Sequence, residues 1–175
     1  MNAPCANLTV LVGQRFACVK IAGRANFHVS VNFKTVLNEL QHQGYPYLVL
    51  ELSECALMDS TFLGVLAGFG LQANAPAGGC VTHAIELRNA NERLTELLEN
   101  LGVLHLFRTT QGDLPAGEAV ATDLPPICEP SREELTRASL EAHQTLMDLN
   151  LANIARFKDV AKFLAEDLKR LRSEP

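Results

Sequence analysis

The stretch Leu48-Val-Leu-Glu-Leu-Ser53, with Met58-Asp59-Ser60-Thr61-Phe62-Leu63-Gly64 a few residues later, constrains this chain more than any other part of it. Tyr47 to Leu52 is apolar except for Glu51, the pattern of a central strand covered on at least one face. A hydroxyl-rich turn then opens a helix over about 60–69. A strand driven into a helix start is the unit from which α/β folds are built. At the first turn of such a helix, unpaired backbone N–H groups and the positive end of the dipole favour an anion, whether an Asp side chain or a phosphate. Ser60 and Thr61 are thereby positioned as candidate modification sites.

The flanking segments supply the rest of an α/β domain. Leu8 to Val12 and Phe16 to Ile21 flank Gly13-Gln14-Arg15 and predict an opening hairpin. Val29, Phe33, Val36, Leu37 and Leu40 recur at helical spacing, and Gly44 supplies a stop. In the second helix, Gly64, Ala67 and Gly68 are read as allowing close packing on the sheet. Cys80 to Leu87 predicts a strand, Asn91 to Leu101 a helix closed by Gly102, and Leu104 to Arg108 a last short strand. The order implies a mixed sheet over residues 1–108, with an antiparallel opening hairpin and parallel crossover helices.

Residues 109–130 change character, with Gly112, Pro115, Gly117, Pro125, Pro126 and Pro130, and read as a linker. Ser131-Arg132-Glu133-Glu134 is an N-cap followed by first-turn acids, opening a C-terminal helical extension over 131–175. Leu135, Ala138, Ala142, Leu146 and Leu149 form one apolar stripe; Phe157, Val160, Leu164, Leu168 and Leu171 form another. Around Asn150-Leu151-Ala152-Asn153 the phase is irregular, and a helical hairpin competes with one long bent helix. Either way the stripes need cover, from the main domain or from a second copy in a homodimer.

Composition narrows the function. The 175 residues carry a net charge of −5 with no basic run, which disfavours nucleic acid and anionic membrane surfaces as partners. No segment reads as a signal peptide or a membrane span, so the expected location is cytoplasmic, without membrane insertion. Cys5, Cys18, Cys55, Cys80 and Cys128 show no zinc spacing and read as small hydrophobes in a reducing compartment. His28, His42, His83, His105 and His143 show no mutual ligand spacing, so neither a metal nor a cofactor is expected. Ser60 lacks the glycines of a nucleophile elbow and no histidine can be assigned as its base, so an enzyme is not expected.

The run Val49-Leu-Glu-Leu-Ser-x-Cys-x-x-Met-Asp59-Ser60-Thr61-x-Leu63-Gly64-Val65-Leu66, with Glu-Leu-Leu-x-x-Leu-Gly-Val later, resembles the STAS domain. This module is shared by sulfate transporters and bacterial anti-sigma factor antagonists, and the resemblance covers roughly residues 8–108. It implies a STAS-like fold and a protein partner, a kinase-type anti-sigma factor, with a phosphatase reversing the modification. It implies Ser60 as phosphoacceptor, with Thr61 the weaker candidate. The implied partner surface comprises Gly23, Arg24, Asn26 and Phe27 with Asp59, Ser60, Thr61, Phe62 and Gly64. Where the family often has an aspartate after the second strand, this chain has Asn26, which keeps hydrogen bonding but loses charge.

Two readings stay open at this stage. Asp59 and Ser60 are also preferred N-cap residues, contributing about 1 kcal/mol without any switch. The first reading is a signalling protein regulated at Ser60; the alternative is a constitutive STAS scaffold or transport-complex accessory assembled through its C-terminal helices.

Overall fold

The computed structural model describes residues 6–75, 84–114, 120–123 and 128–173. In chain order the elements are β1 (Asn7–Val12), β2 (Phe16–Ala25), α1 (Phe27–His42), β3 (Tyr47–Glu51), β4 (Cys55–Met58), α2 (Ser60–Asn74), β5 (Ala84–Arg88) and α3 (Glu92–Asn100). A 3-10 turn at Leu104–Leu106, β6 (Arg108–Thr110), β7 (Val120–Thr122), α4 (Arg132–Leu149) and α5 (Ala152–Ser173) follow.

Among the described residues the sheet runs β6-β5-β3-β2-β1-β7, with β4 against the far end of β2. The pairs β2–β3, β3–β5 and β5–β6 are parallel, while β1 is antiparallel to both β2 and β7. This is the mixed α/β architecture expected from the sequence, an antiparallel opening hairpin with parallel crossovers, followed by C-terminal helices.

Strand alternation sorts the sheet into two faces. Leu48 and Leu50 of β3 and Ile85 and Leu87 of β5 join one core with Phe33 and Leu37 of α1 and Phe62 and Leu66 of α2. The alternate residues carry a polar network in which Tyr47, Thr110 and Arg88 all donate to the Glu86 carboxylate. Burial alone would raise the Glu86 pKa, but these donors and the Arg88 charge outweigh it and hold the carboxyl below its ordinary range.

Several elements differ from expectation. Cys55–Met58 is a strand, paired in parallel with Gly23–Ala25 at the end of β2. The last short strand begins at Arg108, because Leu104–Leu106 is a tight 3-10 turn. Part of the expected linker, Val120–Thr122, pairs with β1. Residues 80–83 of the predicted Cys80–Leu87 strand, including Cys80, lie outside the described residues, as do Cys5 and residues 115–119 and 124–127 of the linker. Cys18 and Cys55 are buried, whereas Cys128 is exposed.

The extension is a hairpin. Asn150 is extended at φ −146° and ψ 116°, ending α4, and its side chain accepts from the Ala152 N–H at 3.0 Å to start α5. Ser131 and Glu134 form the reciprocal capping box that opens α4. In the first stripe Ala138, Ala142 and Leu146 are buried; in the second only Leu168 is, and Val160 is exposed. The first stripe is covered by the chain's own domain, with α4 lying on α2 and reaching α1.

Candidate functional site

Asp59 builds the site. Its extended backbone, φ −87° and ψ 171°, puts the side chain over the start of α2, where Oδ1 accepts from the Phe62 N–H at 2.8 Å. Its other oxygen, Oδ2, accepts from the Phe27 N–H at 2.8 Å, and its own N–H donates to the Ala25 carbonyl at 3.0 Å. One residue thus ties the beginnings of α1 and α2 together through its carboxylate and joins them to the end of β2 through its backbone N–H.

The Gly23–Phe27 segment lies beside this cap. Gly23 adopts φ +94° where the β2–β4 register shifts, a backbone that side chains resist. Asn26 caps α1 by accepting from the His28 N–H at 3.2 Å, so an uncharged amide suffices for the local geometry. Arg24 and Phe27 are exposed.

Ser60 follows Asp59, half-buried, and its hydroxyl lies 2.9 Å from Nε2 of His143 on α4. The ring's other nitrogen, Nδ1, lies 2.7 Å from the Ser139 carbonyl, which can only accept. Nδ1 therefore carries the proton, and in the neutral ring Nε2 accepts from Ser60. Burial pushes the His143 pKa down, while the Ser139 hydrogen bond and the Asp59 charge pull it up more weakly. The ring also packs 5.0 Å from that of Phe157. Sequence alone assigns no histidine to Ser60, and the structure supplies His143: the arrangement is a hydroxyl on a helix start, hydrogen-bonded to an oriented, neutral imidazole.

Thr61, Phe62 and Gly64 are buried rather than available at the surface. Thr61 Oγ1 donates to the Ser139 hydroxyl at 3.3 Å. Phe62 turns inward, its ring 4.4 Å from that of Phe33. Gly64 meets α4: a Cβ there would stand 2.7 Å from the Ala142 Cβ and closer still to its carbonyl oxygen. The small residues of α2 therefore do not serve the sheet as expected. Gly64 admits α4, Gly68 faces open space, and Ala67 alone of the three belongs to the core. Beside this contact, Lys34 of α1 donates to Glu141 of α4 at 3.0 Å.

Ser60 also opens onto a cleft of about 390 Å³ walled by Met58, Leu63, Leu97, Leu101 and Phe157, with Asn100 and Arg156 contributing polar groups. Arg156 donates to the Asn100 carbonyl at 3.1 Å. Cys55 takes no part as a reactive thiol, since burial pushes its pKa up to about 11. Among the described residues no group of three His, Cys, Asp or Glu side chains is placed to hold a metal, and no helix is long and apolar enough to cross a membrane.

The sequence pointed to the α2 start and missed His143, Ser139 and Ala142 opposite it. A helical stripe of alanines with His143 one position away was the available signal for a close helix contact.

No protein-family model matches the chain, and no curated protein matches it. Among solved structures it is similar to the anti-sigma factor antagonist SpoIIAA in its unphosphorylated form, at 15% identity and TM-score 0.46, over 63% of this chain and 89% of that one. It is also similar to the Bacillus cell fate determinant SpoIIAA in the phosphorylated form, at 14% identity and TM-score 0.46, over 62% and 91%.

Proposed function

We propose that the chain is a non-enzymatic protein-interaction module of the anti-sigma factor antagonist kind, regulated by phosphorylation of Ser60. Its docking surface is the Asp59–Gly64 helix start, where Thr61, Phe62 and Gly64 are buried in this structure, with the adjoining Gly23–Phe27 segment, and its partner is a kinase-type anti-sigma factor, with a phosphatase restoring the hydroxyl.

The observation that carries this reading is the double role of Asp59, which caps α2 and holds the Phe27 N–H. Two helix starts and a strand end become one rigid surface with Ser60 in it. A phosphoryl group there adds roughly −1.5 to −2 of charge beside Asp59 and removes the hydrogen that Ser60 gives to His143. Repulsion and the lost hydrogen bond both alter whatever packs on the α2 start.

The test is intact-mass analysis of the protein from its native cells under several growth conditions, with phosphatase treatment and peptide mapping across residues 51–74. A removable phosphate on Ser60 whose occupancy follows growth conditions supports the reading. Absence of the modification, with Ser60→Asp retaining the native partners of wild type, overturns it. The alternative of a constitutive scaffold or transport-complex accessory draws on α5, which leaves Val160 and Phe163 exposed; a homodimer in sedimentation experiments that Phe163→Glu dissociates would favour it.

A further inference from the structure

We propose that α4 and α5 are a detachable internal cover, in which α4 occupies the α2 docking face as an intramolecular ligand. The vacated face then receives an amphipathic helix of the same chemistry from a partner protein. The inference rests on reading the α2 start as the docking face, and it adds what that face binds and what must leave first.

The seam between α4 and the domain is chemically unlike the core beneath it. Of the residues α4 buries, Thr136, Ala138, Ser139, Ala142, His143 and Leu146, Leu146 alone joins the main core. Leu149 and Phe157 also pack partly against that core and Ala142 sits on Gly64, while the other links are polar: Ser60 to His143, Thr61 to Ser139 and Lys34 to Glu141. The foot of the hairpin is held similarly, with Asn153 Nδ2 donating to the Leu101 carbonyl and Arg156 to that of Asn100. Small and polar contacts exchange readily for water, whereas buried leucine and phenylalanine contacts do not.

The face left behind is mixed. It presents Ser60, Thr61, Gly64 and Val65, with the apolar cleft residues Met58, Leu63, Leu97 and Leu101 beside them, while Phe62 and Leu66 remain turned into the core. The two helices can leave together, because Arg132 pairs with Asp167 and Arg172 with Glu133 across the hairpin. The fit of α4 specifies the partner: a helix with an alanine-sized residue against Gly64, since anything larger meets the α2 backbone, and polar side chains at the next position toward Ser60 and one turn earlier toward Thr61.

Two measurements on the full chain test this. The first uses a fluorescein-labelled peptide of residues 131–150 as probe and compares wild type with Ala142→Glu, which wedges the chain's own α4 away without altering α2. The variant is expected to bind the peptide about tenfold or more tightly than wild type, because a face that is seldom open binds in proportion to its open fraction. Adding Gly64→Leu to the variant is expected to abolish that gain. Equal binding by wild type and variant, or binding by neither, overturns the proposal.

The second needs no substitution. In native-state hydrogen exchange, amides of α4 and α5 are expected to lose protection at lower denaturant than those of β2 and β3. A single shared opening at every denaturant concentration makes the hairpin an integral part of the domain and overturns the proposal, as would failure of the first test. Neither measurement involves phosphate or a cellular partner, so an unmodified Ser60 would sink the phosphorylation reading and leave this result standing.

Discussion

Ser60 and His143, 83 positions apart in sequence, share a 2.9 Å hydrogen bond that joins the first turn of α2 to the middle of α4. The imidazole is held in one tautomer by the Ser139 carbonyl, so the contact has a direction: Ser60 donates and His143 accepts.

Replacing His143 by alanine removes this hydrogen bond and the ring contact with Phe157. The expected loss is about 1–3 kcal/mol, the cost of leaving a part-buried polar group without its partner. Urea unfolding of wild type and variant at pH 8 measures it.

The same side chain makes stability depend on pH. His143 has a folded pKa below its ordinary value of 6.5, so below that pH the unfolded chain binds the proton that the fold resists. Its contribution is complete above about pH 6.5 and is lost as pH falls through the folded pKa. His143→Gln cannot titrate, and the gap in unfolding free energy between wild type and this variant is expected to narrow from pH 8 to pH 5. A gap that stays constant would place the ring in solvent.

Gly64 and Gly68, four residues apart on α2, should respond oppositely to the same substitution. Gly64→Ala forces α2 and α4 apart at Ala142 and is expected to cost about 1–3 kcal/mol. Gly68→Ala meets nothing within 4 Å and is expected to add about 0.5–1 kcal/mol by restricting the unfolded chain and favouring the helix. Thermal unfolding of the two variants side by side decides the matter.

Asp59→Ala deletes both acceptors of the cap and is expected to cost about 2 kcal/mol. Asp59→Asn can still cap Phe62 but turns an N–H toward that of Phe27, so it should lose less than the alanine variant and more than nothing. Denaturant midpoints for the two variants test the order, and equal costs would show that only the Phe62 contact matters.

Local patterns carried most of this architecture. The opening hairpin, α1, the central strand and the start of α2 are legible because their apolar periods are long or their turns are marked, as at Gly44 and Asp59. The strand Cys55–Met58 was not, since four residues after a Ser-Glu pair have too short a period to stand out and take their conformation from β2. Val120–Thr122 is hidden for a related reason: three exposed residues in proline-rich surroundings become a strand only because β1 offers an edge.

The site divides similarly. Asp59 and Ser60 announce a helix start by residue type alone. That α4 returns to cover them depends on contacts between segments far apart in the chain, and the residues that make the contact, Ala138, Ser139, Ala142 and His143, are small or polar rather than a conspicuous apolar face. The helix break at Asn150 was visible as irregular phase, but its consequence, a hairpin and not a bend, depends on Asn150 becoming extended and on Asn153 reaching the Leu101 carbonyl.

The pairing of β7 with β1 holds the chain as far as Thr122, and α4 begins at Arg132, so the two are separated by a short stretch of sequence. A ligand on so short a leash competes for its own site at an effective concentration of the order of millimolar. An outside helix arriving at micromolar abundance must therefore bind roughly a thousandfold better than α4 does to hold half the population, a threshold that admits a dedicated partner and turns away casual ones.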